Sequence, residues 1–231
     1  MSEHHKLRIV LRVFATLSVM KQFDSRVTQW LSDFIDADFK ATKHAFSNQD
    51  EVYKIETEKD IHYLKVSSTL KAEYNNLLKL KDVLPVPRVI SYTTFGDKDH
   101  LLISALSGKN VAELFESGNI KGAVKLFATA VKRFHSTDAS AVFSDAKQTD
   151  VLLHGDMSTP NVIVSAHEDI GYIDVGRVSF GHPEKDLADA IWSLQRNIGP
   201  DYGELFLKLY GEYDRTQVVE KALAFRYNPH D

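Results

Sequence analysis

The stretch His154-Gly155-Asp156-Met157-Ser158-Thr159-Pro160-Asn161, then Val162-Ile163-Val164, a polar turn, and Gly171-Tyr172-Ile173-Asp174-Val175-Gly176-Arg177, decides how this chain is read. Two short apolar runs around a polar turn read as a β-hairpin. The closing ends of that hairpin would bring together Asn161, just before its first run, and Asp174, just after its second. The five-residue gap from Asp156 to Asn161 allows a loop to turn, so that both side chains can face one cleft. Either acid alone would more often be a solvated loop residue beside an ordinary hairpin. The ordered set of acid, amide and acid is what makes the stretch informative.

Working outward, a helix is expected upstream over Ile120–His135, with Ala123, Val124, Phe127, Val131 and Phe134 at helical spacing. Downstream, helices are expected near Asp186–Asn197, Asp201–Tyr210 and Thr216–Ala224. Before Gly108 the period changes to that of strands. Glu51–Glu56 and Ile61–Ser67 form a hairpin pattern around Thr57–Asp60, and Arg88–Thr94 pairs with His100–Ala105 around Gly96-Asp97. In the second strand, alternation puts Tyr63, Lys65 and Ser67 on one face and Leu64 and Val66 on the other. Between the strand pairs lies a helix over Leu70–Lys81, with Leu70, Tyr74, Leu77 and Leu78 on one side, stopped ahead of Pro85 and Pro87. A further helix covers Ser25–Asp36, with Val27, Trp30, Leu31, Phe34 and Ile35 on its apolar stripe. Strands first and helices afterwards make an α+β protein of two lobes, residues 1–105 and 106–231, joined near Ser104–Gly108.

The bulk composition excludes several classes. A net charge of −4 gives no basic footprint for nucleic acid. With no cysteine there is neither a disulfide nor a thiolate metal site, which fits a cytoplasmic protein. No run is long and uncharged enough to span a bilayer. The apolar segment Leu7–Met20 is interrupted by Arg8 and Arg12, and reads as an amphipathic helix or a strand packed on the small lobe rather than a signal peptide. The ten histidines show no metal spacing; His154 reads as an anchor of its loop, and Trp30 and Trp192 as helix packing.

The chemistry that suits acid, amide and acid is phosphoryl transfer, which asks a protein for positioning and charge cancellation rather than covalent work. Mg²⁺ takes oxygen ligands, typically one or two carboxylates with phosphate oxygens and water. Asp174 and Asn161 are the expected ligands, with Asp156 orienting the incoming hydroxyl and accepting its proton. Lys65, on the cleft face of its strand, can reach phosphates, and Glu73 on the following helix can fix its ammonium. A lysine–glutamate pair by itself would be weak support, because most such pairs are solvated. Between the first two strands, Ser47 and Asn48 could donate to a phosphate, although the loop has no glycine and equally fits an ordinary polar turn.

These residues resemble the aminoglycoside phosphotransferase family, particularly its 3′-phosphotransferase branch. The likeness runs in order through Val52-Tyr53-Lys54, Leu64-Lys65, Leu84-Pro85-Val86-Pro87, Phe134-His135-Ser136, His154–Asn161, Ile173–Arg177, Asp186-Leu187-Ala188 and Leu205-Phe206 to Leu209-Tyr210-Gly211. It implies a protein-kinase-like fold and transfer of a γ-phosphate from ATP (or GTP) with Mg²⁺ to a hydroxyl of a small molecule. By the same resemblance, Asp156 is the base, Asn161 and Asp174 hold the metal, Lys65 holds phosphates and Glu73 orients it. The backbone of Ser104–Leu106 would meet the adenine, Asp186 would brace the catalytic loop through backbone hydrogen bonds, and Arg177 would lie toward phosphate and acceptor.

The chain departs from the drug-modifying members in three places. Only Thr137–Leu153 fills the gap where they carry a long helical insertion. Arg196-Asn197 stands where an acidic pair precedes Ile198-Gly199, and an arginine repels a cationic acceptor. The C-terminus stops early, at Asn228-Pro229-His230-Asp231. The leading expectation is a small-molecule kinase, with aminoglycoside antibiotics and hence antibiotic resistance as first guess, working as a monomer or weak dimer. A non-aminoglycoside metabolite or a regulatory nucleotide-binding pseudo-enzyme is the alternative. A kinase acting on polypeptides is disfavoured, because the short run from Val175 to Lys185 leaves no room for an activation segment.

Overall fold

The structure is a computed structural model that describes residues 23–36, 38–46 and 51–211. The expectations for Leu7–Met20, for Ser47 and Asn48, for Thr216–Ala224 and for the C-terminus fall outside those residues. The described chain forms two compact units: one holds residues up to Tyr74 with Arg88–Ala105, the other Asn75–Pro87 and the residues from Leu106 onward.

The first unit begins with α1 (Ser25–Ser32), whose N-cap Asp24 accepts a hydrogen bond from the Arg26 amide. Its stripe of Val27 and Leu31 is buried, and the Trp30 indole donates to Ser91 Oγ at 3.1 Å. A five-stranded antiparallel sheet follows, ordered β1 (Lys40–Phe46), β2 (Glu51–Glu56), β3 (Ile61–Ser67), β5 (Lys98–Ser104), β4 (Val89–Phe95). Leu64 and Val66 of β3 join Ile55, Tyr53, Leu102 and the α1 residues in one core, as alternation requires. The edge strand β1 is not among the expected elements. Its sequence Lys-Ala-Thr-Lys-His-Ala-Phe lacks an apolar alternation, and its existence rests on pairing with β2, with a bulge between Lys43 and Ala45.

Helix α2 (Lys71–Leu80) buries Leu77 and Leu80 but leaves Leu78 42% exposed, which corrects the apolar stripe expected there. Glu73 and Asn76, both polar, occupy buried positions on the same helix. Residues 75–87, read from sequence with the first lobe, group with the second unit instead. Two hydrogen-bonded ties account for this: Asn76 Nδ2 donates to Val175 O at 2.9 Å, and the Tyr172 amide to Pro85 O at 2.9 Å.

In the second unit β6 (Lys109–Asn110) leads into a short helix, α3 (Val111–Phe115), capped by Asn110 and unforeseen from the sequence. The long helix α4 (Ile120–His135) coincides with its expected limits and buries Ala123, Val124, Phe127, Val131 and Phe134. Next come β7 (Val151–Leu153), β8 (Val162–Val164), β9 (Ile170–Tyr172), β10 (Ser179–Gly181), α5 (Glu184–Ile198) and α6 (Gly203–Tyr210). Strands β8 and β9 form the expected hairpin, with Val162 opposite Tyr172, and β6 flanks β8. Gly108 turns the chain at φ 129°, and any side chain there would collide with the Val164 carbonyl. Phe134 meets Tyr172 edge-on at 4.9 Å, Phe127 meets Phe206 at 5.6 Å, and the Tyr172 hydroxyl donates to Ala130 O at 2.8 Å. Phe134 also meets the His154 ring, at 5.4 Å, so this apolar cluster touches the loop that begins there.

Candidate active site

The loop from His154 to Asn161 leaves β7 and re-enters β8, and each of its turns is fixed by a named side chain. Asp186, in the first turn of α5 and fully buried, accepts from the His154 amide at 2.6 Å and the Gly155 amide at 2.8 Å. His135 Nε2 lies 3.1 Å from the same carboxylate, and His135 Nδ1 lies 2.9 Å from the Tyr210 hydroxyl. Burial pulls the Asp186 pKa upward, but the His135 hydrogen bond and charge and the His154 amide outweigh it, so the group is held below the usual carboxylate range. Three donors on a buried carboxylate supply the pairing that a buried charge requires.

Further along the loop, Ser193 Oγ accepts from the Thr159 amide at 2.9 Å. The Asn197 amide donates to Thr159 Oγ1 at 3.2 Å and to Ser193 O at 2.7 Å. Asp186, Ser193 and Asn197 are spaced by seven and four residues, so one face of α5 backs the loop along its length. Gly155 has a φ of 78°, and a Cβ there would lie 2.3 Å from the Arg177 carbonyl oxygen. Only glycine fits where the two segments pass so closely.

Within this frame Asn161 is 5% exposed and donates through Nδ2 to the Asp156 carbonyl at 2.9 Å. Donation through the nitrogen leaves Oδ1 as the atom available for coordination. The Asn161 carbonyl accepts from the Ile173 amide at 3.0 Å, which seats the residue preceding Asp174 beside it. His154 Nε2 lies 3.0 Å from the Ile173 carbonyl; a carbonyl only accepts, so Nε2 carries the hydrogen. Burial lowers the pKa of His154 and keeps the ring neutral, and its Nδ1 has no hydrogen-bond partner among the described residues. Asp174 itself adopts the left-handed conformation, φ 58° and ψ 44°, at the head of a 3₁₀ turn over Val175–Arg177. For a residue with a Cβ that conformation costs roughly 1 kcal/mol or more, and it persists only where the surroundings enforce it.

In the first unit Lys65 Nζ and Glu73 Oε1 are 2.6 Å apart, with side chains only 12% and 9% exposed. The pair therefore differs from the solvated kind that fills protein surfaces. At the end of β5, the Ser104 amide donates to Arg88 O at 2.9 Å and the Ala105 amide to Ile61 O at 3.1 Å. Leu106 packs in the second unit, against Gly171. Arg177, exposed, closes the 3₁₀ turn after Asp174.

One position differs from what the sequence suggested: Trp192 is 39% exposed and carries the Arg196 guanidinium over its ring, 5.3 Å from the centroid. Asn197 gives its side-chain amide to Thr159 Oγ1 and Ser193 O. Sequence reasoning also missed Asp189, one turn beyond Asp186 on α5. Burial first, then the charges of Asp186 and Asp156, push its carboxyl up to about 7, against the pull of Lys185 and Arg177. The signal available in sequence was the Asp-x-x-Asp spacing on a helix expected to be amphipathic, which puts both acids near one face. Among the described residues no cluster of three or more His, Cys, Asp or Glu side chains forms a metal site, and no helix is long and apolar enough to cross a membrane.

Known proteins agree with this frame. Residues 141–219 match the family model described as the phosphotransferase enzyme family. An aminoglycoside 3′-phosphotransferase of Niallia circulans is 29% identical over 188 residues, covering 62% of this chain and 72% of its own. A solved aminoglycoside 3′-phosphotransferase of type VIII superposes with a TM-score of 0.66 at 16% identity, over 92% of this chain and 97% of the other. An aminoglycoside phosphotransferase of Streptomyces rimosus, solved with ADP and streptomycin, gives a TM-score of 0.64 at 19% identity, over 84% and 94%. The α+β architecture, with its five-stranded antiparallel sheet and following helices, is thus the kinase-like fold of these phosphotransferases. Over residues 141–219 the chain thus matches the phosphotransferase enzyme family, and over a longer span it is similar to aminoglycoside 3′-phosphotransferases.

Proposed function

We propose that the protein is an ATP-dependent phosphotransferase that moves the γ-phosphate to a hydroxyl of a small molecule, with an aminoglycoside-type antibiotic as the first acceptor to test. The observation that carries the reading is the way Asn161 is bonded at both ends. Its side chain is tied to Asp156 and its carbonyl to Ile173, so acid, amide and acid are joined through one hydrogen-bonded loop.

In this reading Asp156 orients the acceptor hydroxyl and takes its proton. That role leaves its carboxylate uncommitted, and no hydrogen bond to that carboxylate is present among the described residues. Asn161 and Asp174 supply an amide oxygen and a carboxylate, a donor set that suits Mg²⁺. An ion held there would supply positive charge against the phosphates. Lys65, steadied by Glu73, is a cation suited to phosphates, and Leu106 retains a backbone amide with no partner among the described residues, suited to the purine of ATP or GTP. Arg177 serves the phosphate and acceptor side, while His154 and Asp186 hold the loop in shape. Ser47 and Asn48 keep their proposed phosphate role as a sequence reading alone. The setting is cytoplasmic, where ATP is present.

The test is an acceptor screen. Purified protein with ATP, Mg²⁺ and a panel of aminoglycosides, amino sugars and other hydroxylated antibiotics is expected to release ADP in an acceptor-dependent way. Asp156→Ala is expected to lower turnover by about 10²- to 10⁴-fold, the range for a general base, while nucleotide affinity stays within a few-fold. Near-normal turnover in that variant would remove Asp156 from the chemistry. One observation favours a second reading, a nucleotide-binding regulator: Asn197 and Arg196, aligned with the drug-gripping acids of the family, are engaged with the loop and with Trp192. ADP release that responds to no acceptor would select it.

A further inference from the structure

Asp174 sits in the left-handed region, which aspartate visits more readily than most residues with a side chain but still at some cost, and hydrogen bonds hold the chain on both sides of it. On its N-terminal side, Ile173 is held twice: its amide donates to the Asn161 carbonyl and its carbonyl accepts from His154 Nε2, each at 3.0 Å. On its C-terminal side, the 3₁₀ turn is closed by a Val178 amide bond to Val175 O at 3.3 Å, long for an N–H···O bond. A side chain supplements that bond. Asn76 of α2, 8% exposed, directs Nδ2 at two successive carbonyls of that turn, Val175 O at 2.9 Å and Gly176 O at 3.3 Å.

We propose that Asn76 is a positioning residue for Asp174, its carboxamide clamping the two peptides that follow the acid and so fixing where that carboxylate points. The inference rests on the reading of Asp174 as a metal ligand. An amide is the group the position demands. It carries two hydrogens on one nitrogen, enough for two neighbouring acceptors, whereas a carboxylate offers only acceptors and would face two carbonyl oxygens with none of the donors they need. An apolar side chain of the same size would leave the Val175 carbonyl only its long bond from the Val178 amide and would take the side-chain donor from the Gly176 carbonyl, a costly change for buried polar groups. The position also explains a polar residue on the buried side of a helix, where a leucine such as Leu77 or Leu80 would otherwise be expected.

The test compares Asn76→Ala, Asn76→Ser and Asp174→Ala in three measurements: ADP affinity in EDTA, ADP affinity across a Mg²⁺ titration, and amide hydrogen exchange of 175–178 in metal-free protein. Asn76→Ala is expected to leave metal-free ADP affinity within about twofold. It should raise the Mg²⁺ concentration for half-maximal ADP binding by about tenfold, and speed exchange at 175–178 by a similar factor. Asn76→Ser, with one short donor, should fall between it and the parent, and carries the same test should the alanine variant fail to fold. Faster exchange with an unchanged Mg²⁺ requirement, while Asp174→Ala loses that requirement, would overturn the inference and leave Asn76 a purely structural tie. An unchanged Mg²⁺ requirement in Asp174→Ala would instead remove the metal reading of Asp174 on which the inference stands.

Discussion

The two units position their proposed functional side chains by different means. In the sheet unit, Lys65 is placed by strand alternation: Leu64 and Val66 enter the core, so Lys65 must face the other way, and one glutamate steadies it. In the helical unit, the loop that carries Asp156 and Asn161 has little regular structure of its own. Side chains from α5 hold it at three places, through Asp186, Ser193 and Asn197. A strand tolerates loss of one contact because its ladder of hydrogen bonds persists. A loop held by individual side chains loses a whole turn with each one, since the backbone groups released have no other partner.

This contrast is broken most severely at Asp186. Asp186→Ala removes the acceptor for two buried amides and for His135 together, and is expected to cost about 3–5 kcal/mol, the range for disrupting a buried charged network. Urea unfolding would read it directly. A loss below about 1 kcal/mol would mean that the loop does not depend on α5. In the sheet unit, Lys65→Met is expected to cost about 1–3 kcal/mol, discounted because the pair is partly solvated, and to weaken nucleotide binding at least tenfold. The sheet itself should survive, with an unchanged far-ultraviolet spectrum. Loss of the sheet signal would show that Lys65 is structural, and the contrast between the units would disappear.

Asp189 sharpens the comparison, because unlike Asp186 it holds no backbone group among the described residues. Its pKa is raised in the folded state, from 3.8 to about 7. The folded protein therefore retains a proton that the unfolded chain gives up. The stability associated with the neutral form is complete below about pH 4 and is lost progressively as pH rises to about 7, levelling off above. Asp189→Asn, neutral in both states, should match the parent in acid and exceed it by roughly 1–3 kcal/mol at pH 8, measured by thermal or urea unfolding. A stability gain that does not grow with pH would place the proton elsewhere. The smallest effect is expected for Ser193→Ala, about 1 kcal/mol for one loop amide left without its acceptor.

The sequence carried the sheet unit well where period-2 alternation was strong, in β2 to β5, and failed at β1, whose residues show no apolar alternation and whose place is given by pairing with β2. It read α4 to the residue, because a 16-residue amphipathic run flanked by Asn119 and Ser136 leaves little choice. It put the wrong leucine on the buried stripe of α2, because Glu73 and Asn76 occupy positions that hydrophobic counting assigns to apolar residues. The roles of Trp192 and Asn197 were out of reach, since helical spacing says which residues share a face and not what lies opposite that face.

By itself, then, the order of residues determined the α+β class, the hairpin that draws Asn161 toward Asp174, and which acids and amide are proposed to serve a phosphate and its metal. These are local properties: the side-chain period, the turn chemistry and the donor set of a short segment. Tertiary structure alone decided that Asp174 stands in a left-handed turn clamped by Asn76, that α5 supplies the loop's hydrogen bonds, and that Asp189 is driven toward neutrality. Each of these depends on groups tens of residues apart meeting out of water, where an unpaired donor or an unshared charge becomes costly enough to dictate the arrangement.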